Sequence, residues 1–404
     1  MLPQPLLPPD ILGSVSEANA DDIAQSNGTL STGQYIGHGG LQERFDEQLR
    51  GTDGYGIYLV DLQTNGKLAS NEGLIAENQK LAGAERTNGS SLKITLNSPA
   101  QQEAVKILDE QDSPSAIVAL KVSTGEILIA ANGKASEGFS TALLAQYAPG
   151  STFKIATSLA LIRKGFTVDT TVQCSESVQV DGQTFKNAST YPVGALGNQP
   201  LKVAVAQSSN TAFINERNKV SQADLADAAA ALGIGIETDL GVPTFMGTVP
   251  TNANEVEHAA SMIGQGKILV SPLSMAVLAA SAVKGEVVQP ILVKDQKLEQ
   301  GAVANTSLTA AESEQLSTLM RGVVAKGGLT NLQTLTPDTA VGKTGTAEYG
   351  KDNPPKTHSW VIAVHEDIAL ALVVEDGDLG SITGAPLALD AFKALQSSSH
   401  QPAV

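Results

Sequence analysis

Two groups of short apolar runs bracket a long helical stretch, and that arrangement leaves few folds open to the chain. Residues 116–122 and 126–131 are joined at Ser123-Thr124-Gly125, the composition of a tight hairpin. Residues 341–348, 359–365 and 368–375 form the second group, and the short His365-Glu366-Asp367 connection makes its last two runs an antiparallel pair. Between the groups, 152–164, 204–219, 222–232, 272–284 and 310–325 carry helical patterns, and 386–395 gives a terminal helix. The simplest closure is an α+β fold: one antiparallel five-stranded sheet, flanking helices and an all-α lobe beside it.

The first hundred residues read differently. Residues 1–40 are rich in Pro, Gly, Ser and Asn, and a helical patch at 41–50 stops at Gly51. Residues 56–62 alternate as a strand that turns at Asn65-Gly66, 93–96 read as another strand, and Ser98-Pro99 opens a helix through 108. The spacing predicts a small N-terminal subdomain over 1–112 and a catalytic domain over 113–404.

Charge and cysteine use exclude several functions. A net charge of −16 opposes nucleic-acid binding, which needs a basic face to release counterions. The single cysteine, Cys174, has neither a disulfide partner nor zinc-like spacing and reads as a packed residue. The histidines show no metal-binding pattern, so neither metal nor cofactor is expected. No apolar run of about 18 residues is present, and the N-terminus lacks the charged and apolar regions of a signal peptide.

Three short motifs carry the chemistry. In Ser151-Thr-Phe-Lys154 a hydroxyl and an amine fall at i and i+3, on one face of a helix that begins there. A lysine at the positive end of a helix and removed from water loses its proton more easily and can serve as a base. Alone, S-x-x-K is common by chance, and Ser151 then reads as a helix cap with Lys154 turned to water. Ser208-Ser-Asn210, at the start or inside of a helix, offers a second hydroxyl to relay a proton and an amide to hold a carbonyl. Lys343-Thr-Gly-Thr346 lies on a strand, where an extended peptide can add along the edge while Lys343 meets a carboxylate. Gly345 removes a side chain at a close approach, and the backbone amides of Ser151 and Thr346 are candidates for an oxyanion hole.

S-x-x-K, S-x-N and K-T-G occur in that order, each on the kind of element its chemistry needs. On these motifs the chain resembles the class B penicillin-binding proteins, monofunctional peptidoglycan transpeptidases with a penicillin-binding/serine β-lactamase-like fold. YAPGSTFK, SSNTAF, GKTGTAE, His358-Ser-Trp360 and Gly264-Gln-Gly266 followed by Ser271-Pro-Leu273 resemble family blocks. GGLQERFDEQLRGTDG, with Arg44, Asp46, Leu49 and Gly51, is similar to the family's pedestal segment. LKITLNSPAQQEA is similar to its lead into the catalytic domain, with Asn97 where Asp is usual.

The resemblance implies that Ser151 is acylated by stem peptides ending in D-Ala-D-Ala and by β-lactam antibiotics. Lys154 is then the base and Ser208 the proton relay, Asn210 orients the acyl chain, and Lys343 and Thr344 hold the terminal carboxylate. It also implies other cell-wall or division proteins as partners. It implies an extracytoplasmic location as well, with a membrane anchor in an N-terminal segment absent from this sequence. A serine β-lactamase, a D,D-carboxypeptidase and a non-enzymatic β-lactam sensor are rivals on the same fold. No E-x-x-L-N follows the Ser208 motif, and class D β-lactamases carry Val where Asn210 stands, which weighs against the first.

Overall fold

A computed structural model describes residues 8–58, 80–295, 298, 307–350 and 355–398. The chain divides into two compact units, Leu12–Lys93 and Ile94–Val404 together with Met1–Ile11.

The larger unit is built on the expected sheet. Strands β1 (Ser115–Lys121), β2 (Ile127–Asn132), β3 (Val341–Tyr349), β4 (Lys356–His365) and β5 (Ile368–Val374) are all antiparallel, in spatial order β3-β4-β5-β1-β2. β5 thus closes the last three strands onto the first hairpin. Every residue of β5 from Ala369 to Val374 is buried, which requires cover on both faces and explains its unbroken apolar run.

The helices of this unit, in chain order, include α1 (Ser98–Asp109), α2 (Lys154–Arg163), α3 (Leu201–Ala206) and α4 (Asn210–Asn215). They continue with α5 (Gln222–Ala231), α6 (Glu255–Ser261), α7 (Pro272–Lys284), α8 (Ala310–Lys326) and α9 (Ala385–Ser398). α7 packs against β5 and β1. Its residues are apolar or small on every side and buried from Pro272 to Ala282, the pattern of a central helix. A Ser271/Ser274 capping box starts it, and Gly285 in the left-handed region ends it.

Three expectations change in this unit. The helix over 98–108 belongs here and not with the N-terminal subdomain drawn to residue 112. Its face of Ala100, Ala104 and Leu108 is buried, and the Gln101 side chain exchanges two hydrogen bonds with the backbone of Ala130 on β2, at 2.8 and 3.0 Å. The single helix expected over 204–219 is broken into α3, α4 and a 3-10 turn at Arg217–Lys219. The break falls at Ser208, whose φ of +59° no helix accommodates, and the Ser209 hydroxyl caps the restart by accepting from Ala212 N. Finally, the stretch between α2 and α3 folds as ladders. Ser177–Val180 pairs with Gln183–Lys186 and Thr171–Cys174 with Gly197–Pro200.

In the smaller unit Ser14–Glu17 pairs antiparallel with Tyr35–His38, and Tyr55–Tyr58 pairs with Lys80–Ala84. The helical patch at 41–50 is two short helices meeting at Phe45, Gly40–Arg44 and Asp46–Arg50. Asp46 accepts from Gly37 N at 2.8 Å and pairs with Arg50, which fastens this turn to the first ladder. The turn expected at Asn65-Gly66 lies outside the described residues. Among the described residues no helix is long and apolar enough to cross a membrane.

Candidate active site

Ser151 stands in a 3-10 turn, Gly150–Phe153, that runs directly into α2. The turn is wedged between two backbones. Gly150 N donates to Gly264 O at 2.8 Å, and a Cβ on Gly264 would lie 2.0 Å from Gly150 O. A Cβ on Gly150 would lie 2.5 Å from Thr346 O, and both glycines have positive φ. The approach to the turn is held as well: the buried Trp360 indole on β4 donates to Ala148 O at 3.1 Å. Tyr147 exchanges backbone bonds with Val270.

Lys154, one helical turn on, is fully buried. Its Nζ donates to Asn210 Oδ1 at 2.7 Å and to Ser208 O at 2.8 Å, and lies 3.0 Å from Ser151 Oγ. Burial pushes this amine well below the usual lysine value, and the charge of Lys343 adds to the effect. A neutral amine has two hydrogens and one lone pair. With the hydrogens taken by Ser208 O and Asn210 Oδ1, the lone pair is left for the Ser151 hydroxyl.

Lys343 on β3 is also fully buried and brought down to about 7 by desolvation. Its Nζ donates to Ser208 Oγ at 2.8 Å and to Thr344 O at 2.9 Å. Since Lys154 Nζ is 3.4 Å from the same Ser208 Oγ, that hydroxyl bridges the two lysines. The left-handed backbone at Ser208 makes this possible: it interrupts the helix and turns the Ser208 carbonyl and hydroxyl both toward Lys154.

The groups surround a cleft of about 890 Å³. Ser151, Ser208 and Asn210 line it, as do Thr344, Gly345 and Thr346 of β3. Lys154 and Lys343 stand behind this lining. β3 is an edge strand, so its amides that turn away from β4 face the cleft. The Ser151 amide lies in the first turn of a helix, where no intrahelical acceptor is available. The Thr346 hydroxyl accepts from Gly380 N at 3.2 Å.

Sequence reasoning passed over one residue on the cleft wall, Asn187. Its Oδ1 accepts from Asn210 N at 2.7 Å and from Thr211 N at 3.1 Å. Nothing in the spacing of Phe185-Lys-Asn187 marks it, because its partners lie beyond an intervening ladder. His358 is stacked on Tyr349 at 4.0 Å and tilted against Tyr147 at 4.5 Å. Burial lowers it to about 4, so it is neutral near pH 7. Cys174 is buried with a free thiol.

Residues 115–394 match the penicillin binding protein transpeptidase domain, and residues 4–81 the penicillin-binding protein dimerisation domain. The peptidoglycan D,D-transpeptidase PbpA of Mycobacterium tuberculosis is 27% identical over 371 residues, 78% of this chain and 73% of that protein. PbpA of Mycolicibacterium smegmatis is 29% identical over 355 residues, covering 74% and 70%. Among solved structures, the complex of PBP2 and MreC from Helicobacter pylori gives a TM-score of 0.80 at 22% identity, covering 98% of this chain and 78% of that one. Penicillin-binding protein A of M. tuberculosis, as a ceftriaxone acyl-enzyme, gives 0.69 at 24% identity, covering 78% and 81%. A transpeptidase domain that takes up most of the chain, preceded by a dimerisation domain, places this chain among the class B penicillin-binding proteins.

Proposed function

We propose that this chain is a peptidoglycan D,D-transpeptidase whose nucleophile is Ser151. The observation that carries the reading is the Lys154 amine, 3.0 Å from the Ser151 hydroxyl and so buried that its affinity for a proton is lowered. Ser151 Oγ bonds to the carbonyl carbon of the penultimate D-Ala while its proton passes to Lys154 Nζ. The resulting oxyanion is held by the amides of Ser151 and Thr346. As the C–N bond breaks, the departing D-Ala amine takes a proton from Ser208 Oγ, and Ser208 is reprotonated by Lys154. An amine from a neighbouring strand then attacks the acyl-enzyme and the steps reverse.

The hydrogen bonds support a finer reading of the binding groups than their residue types do. Asn210 Oδ1 is committed to Lys154, and one Nδ2 hydrogen goes to Lys186 O at 2.9 Å. The second Nδ2 hydrogen is left for the acyl chain. Thr344 and Thr346 offer hydroxyls to the terminal carboxylate, and Lys343 supplies positive charge from behind Gly345. A β-lactam presents the same carbonyl and carboxylate, so it acylates Ser151, and an amine-accepting site releases that adduct slowly. Peptidoglycan as the substrate, as in the names of the relatives, supports an extracytoplasmic setting, and the PBP2–MreC complex supports a protein partner.

The test is intact-mass measurement after incubation with a labelled penicillin. One adduct per wild-type chain and none on Ser151→Ala is the expected outcome. An adduct that survives in Ser151→Ala ends the assignment, and rapid repeated turnover of a chromogenic cephalosporin makes the protein a β-lactamase instead.

A further inference from the structure

The turn that carries Ser208 and Asn210 is held from outside itself. Its own cap, Ser209 Oγ, serves Ala212 N. The amides of Asn210 and Thr211 are instead taken up by Asn187 Oδ1, which also accepts from Ser209 Oγ at 3.2 Å. Asn187 Nδ2 donates to Ser175 O at 3.1 Å and to Thr211 Oγ1 at 3.2 Å, which fixes which end of its amide faces the turn. The preceding residue completes the arrangement, since Lys186 O accepts from Asn210 Nδ2. With Nδ2 held there, Asn210 Oδ1 is aimed at Lys154 Nζ. A reversed amide would set N–H groups against the N–H groups of the lysine.

We propose that Asn187 is a positioning residue for acyl transfer: it holds the Ser209-Asn210-Thr211 turn so that Asn210 Oδ1 keeps one hydrogen of Lys154 and leaves the lone pair on Ser151. The proposal rests on Lys154 acting as the base. The titratable groups that bear on Lys154 are Lys343 on β3 and Cys174 of the Thr171–Cys174 strand; Lys343 is held by Ser208 Oγ and Thr344 O rather than by Asn187.

The experiment is the pH profile of Ser151 acylation by a chromogenic β-lactam, for wild type, Asn187→Leu and Asn187→Asp. Asn187→Leu keeps the size and removes every hydrogen bond. It is expected to lower the plateau rate on the order of 100-fold through misplacement of the base. Its acid limb moves to lower pH, because a displaced Asn210 no longer stabilises the ammonium. Asn187→Asp keeps the acceptor oxygen, returns the plateau to within about tenfold of wild type, and moves the limb to higher pH through its charge. A folded Asn187→Leu with a plateau within about twofold of wild type overturns the proposal. So does a loss that leaves the limb unmoved and that Asp fails to restore, since that marks a purely structural role. If Asn187→Leu does not fold, the limb of Asn187→Asp decides alone, and an unmoved limb overturns the proposal. Ser151→Ala, run in parallel, separates the two levels: an adduct there removes the underlying mechanism, whereas its absence leaves any failure with Asn187.

Discussion

The two walls of the cleft are held by different means. The sheet wall is β3, locked to β4 through nine consecutive residue pairs from Val341 to Tyr349 and backed by the buried Trp360. The helical wall is a non-helical turn between α3 and α4, kept in place by side chains bonding to backbone: Asn187 to Asn210 and Thr211, and Lys154 to Ser208. A ladder spreads its stability over many residues, whereas a turn of this kind depends on a few. Substitutions on the sheet side should therefore cost stability first, and those on the helical side should cost rate first.

Lys154→Met is the strongest test of the helical side. Loss of a general base lowers acylation by about 10²- to 10⁴-fold. The unfolding midpoint should change little, because relief of a buried amine's desolvation offsets the two hydrogen bonds lost at Ser208 O and Asn210 Oδ1. Stopped-flow acylation and thermal unfolding on the same samples check both halves, and a collapse in stability would erase the distinction between the walls.

Trp360→Phe probes the other wall. It deletes the donation to Ala148 O and shrinks a fully buried side chain, at a cost of about 2–3 kcal/mol in urea unfolding. Acylation should fall by less than about tenfold, since the β3–β4 ladder still places Thr346. A rate loss as deep as that of Lys154→Met at unchanged stability would break the contrast.

A third test is a pH slope. Lys343 titrates near 7 in the folded chain, against the usual 10.5 when unfolded. Between those values the unfolded chain holds the extra proton, so this amine makes stability rise with pH from about 7 to 10.5, while its full cost is felt below 7. Lys343→Met removes that contribution. Its stability gain over wild type should be greatest at and below neutral pH and shrink toward pH 10; a gain constant across the range would show that Lys343 keeps its ordinary value.

Much of this was legible in the sequence. The strands were readable because central strands covered on both faces need unbroken apolar runs, as in 368–374 and 116–120. The three motifs were readable because each is local. The helix break at Ser208 was not, since the residues on both sides form helix and it is tertiary bonds from Lys154, Lys343 and Asn187 that hold a left-handed serine between them. The hairpin at 177–186 carried a readable signal that was passed over, Asp181-Gly182, which adopts φ of +44° and +84° at its turn. The contact of Gly150 with Gly264 joins residues more than a hundred positions apart, and no local pattern encodes it.

An open strand edge is also an invitation to other chains, and β3, nine residues long, forms one edge of the sheet. The protein leaves little of it bare. Gly328 lies so close that a Cβ there would stand 2.8 Å from Thr344 Oγ1, and Gly345 is similarly pressed by Pro149 O at 2.8 Å. What remains accessible opens into the narrow space facing Asn187 and Asn210. A single extended peptide needs only a short strip of strand edge, whereas pairing with a second sheet needs a longer run of it. The same crowding that positions Ser151 thus limits how much of this edge another strand can reach, and a side chain added at Gly327 or Gly328 would close it further.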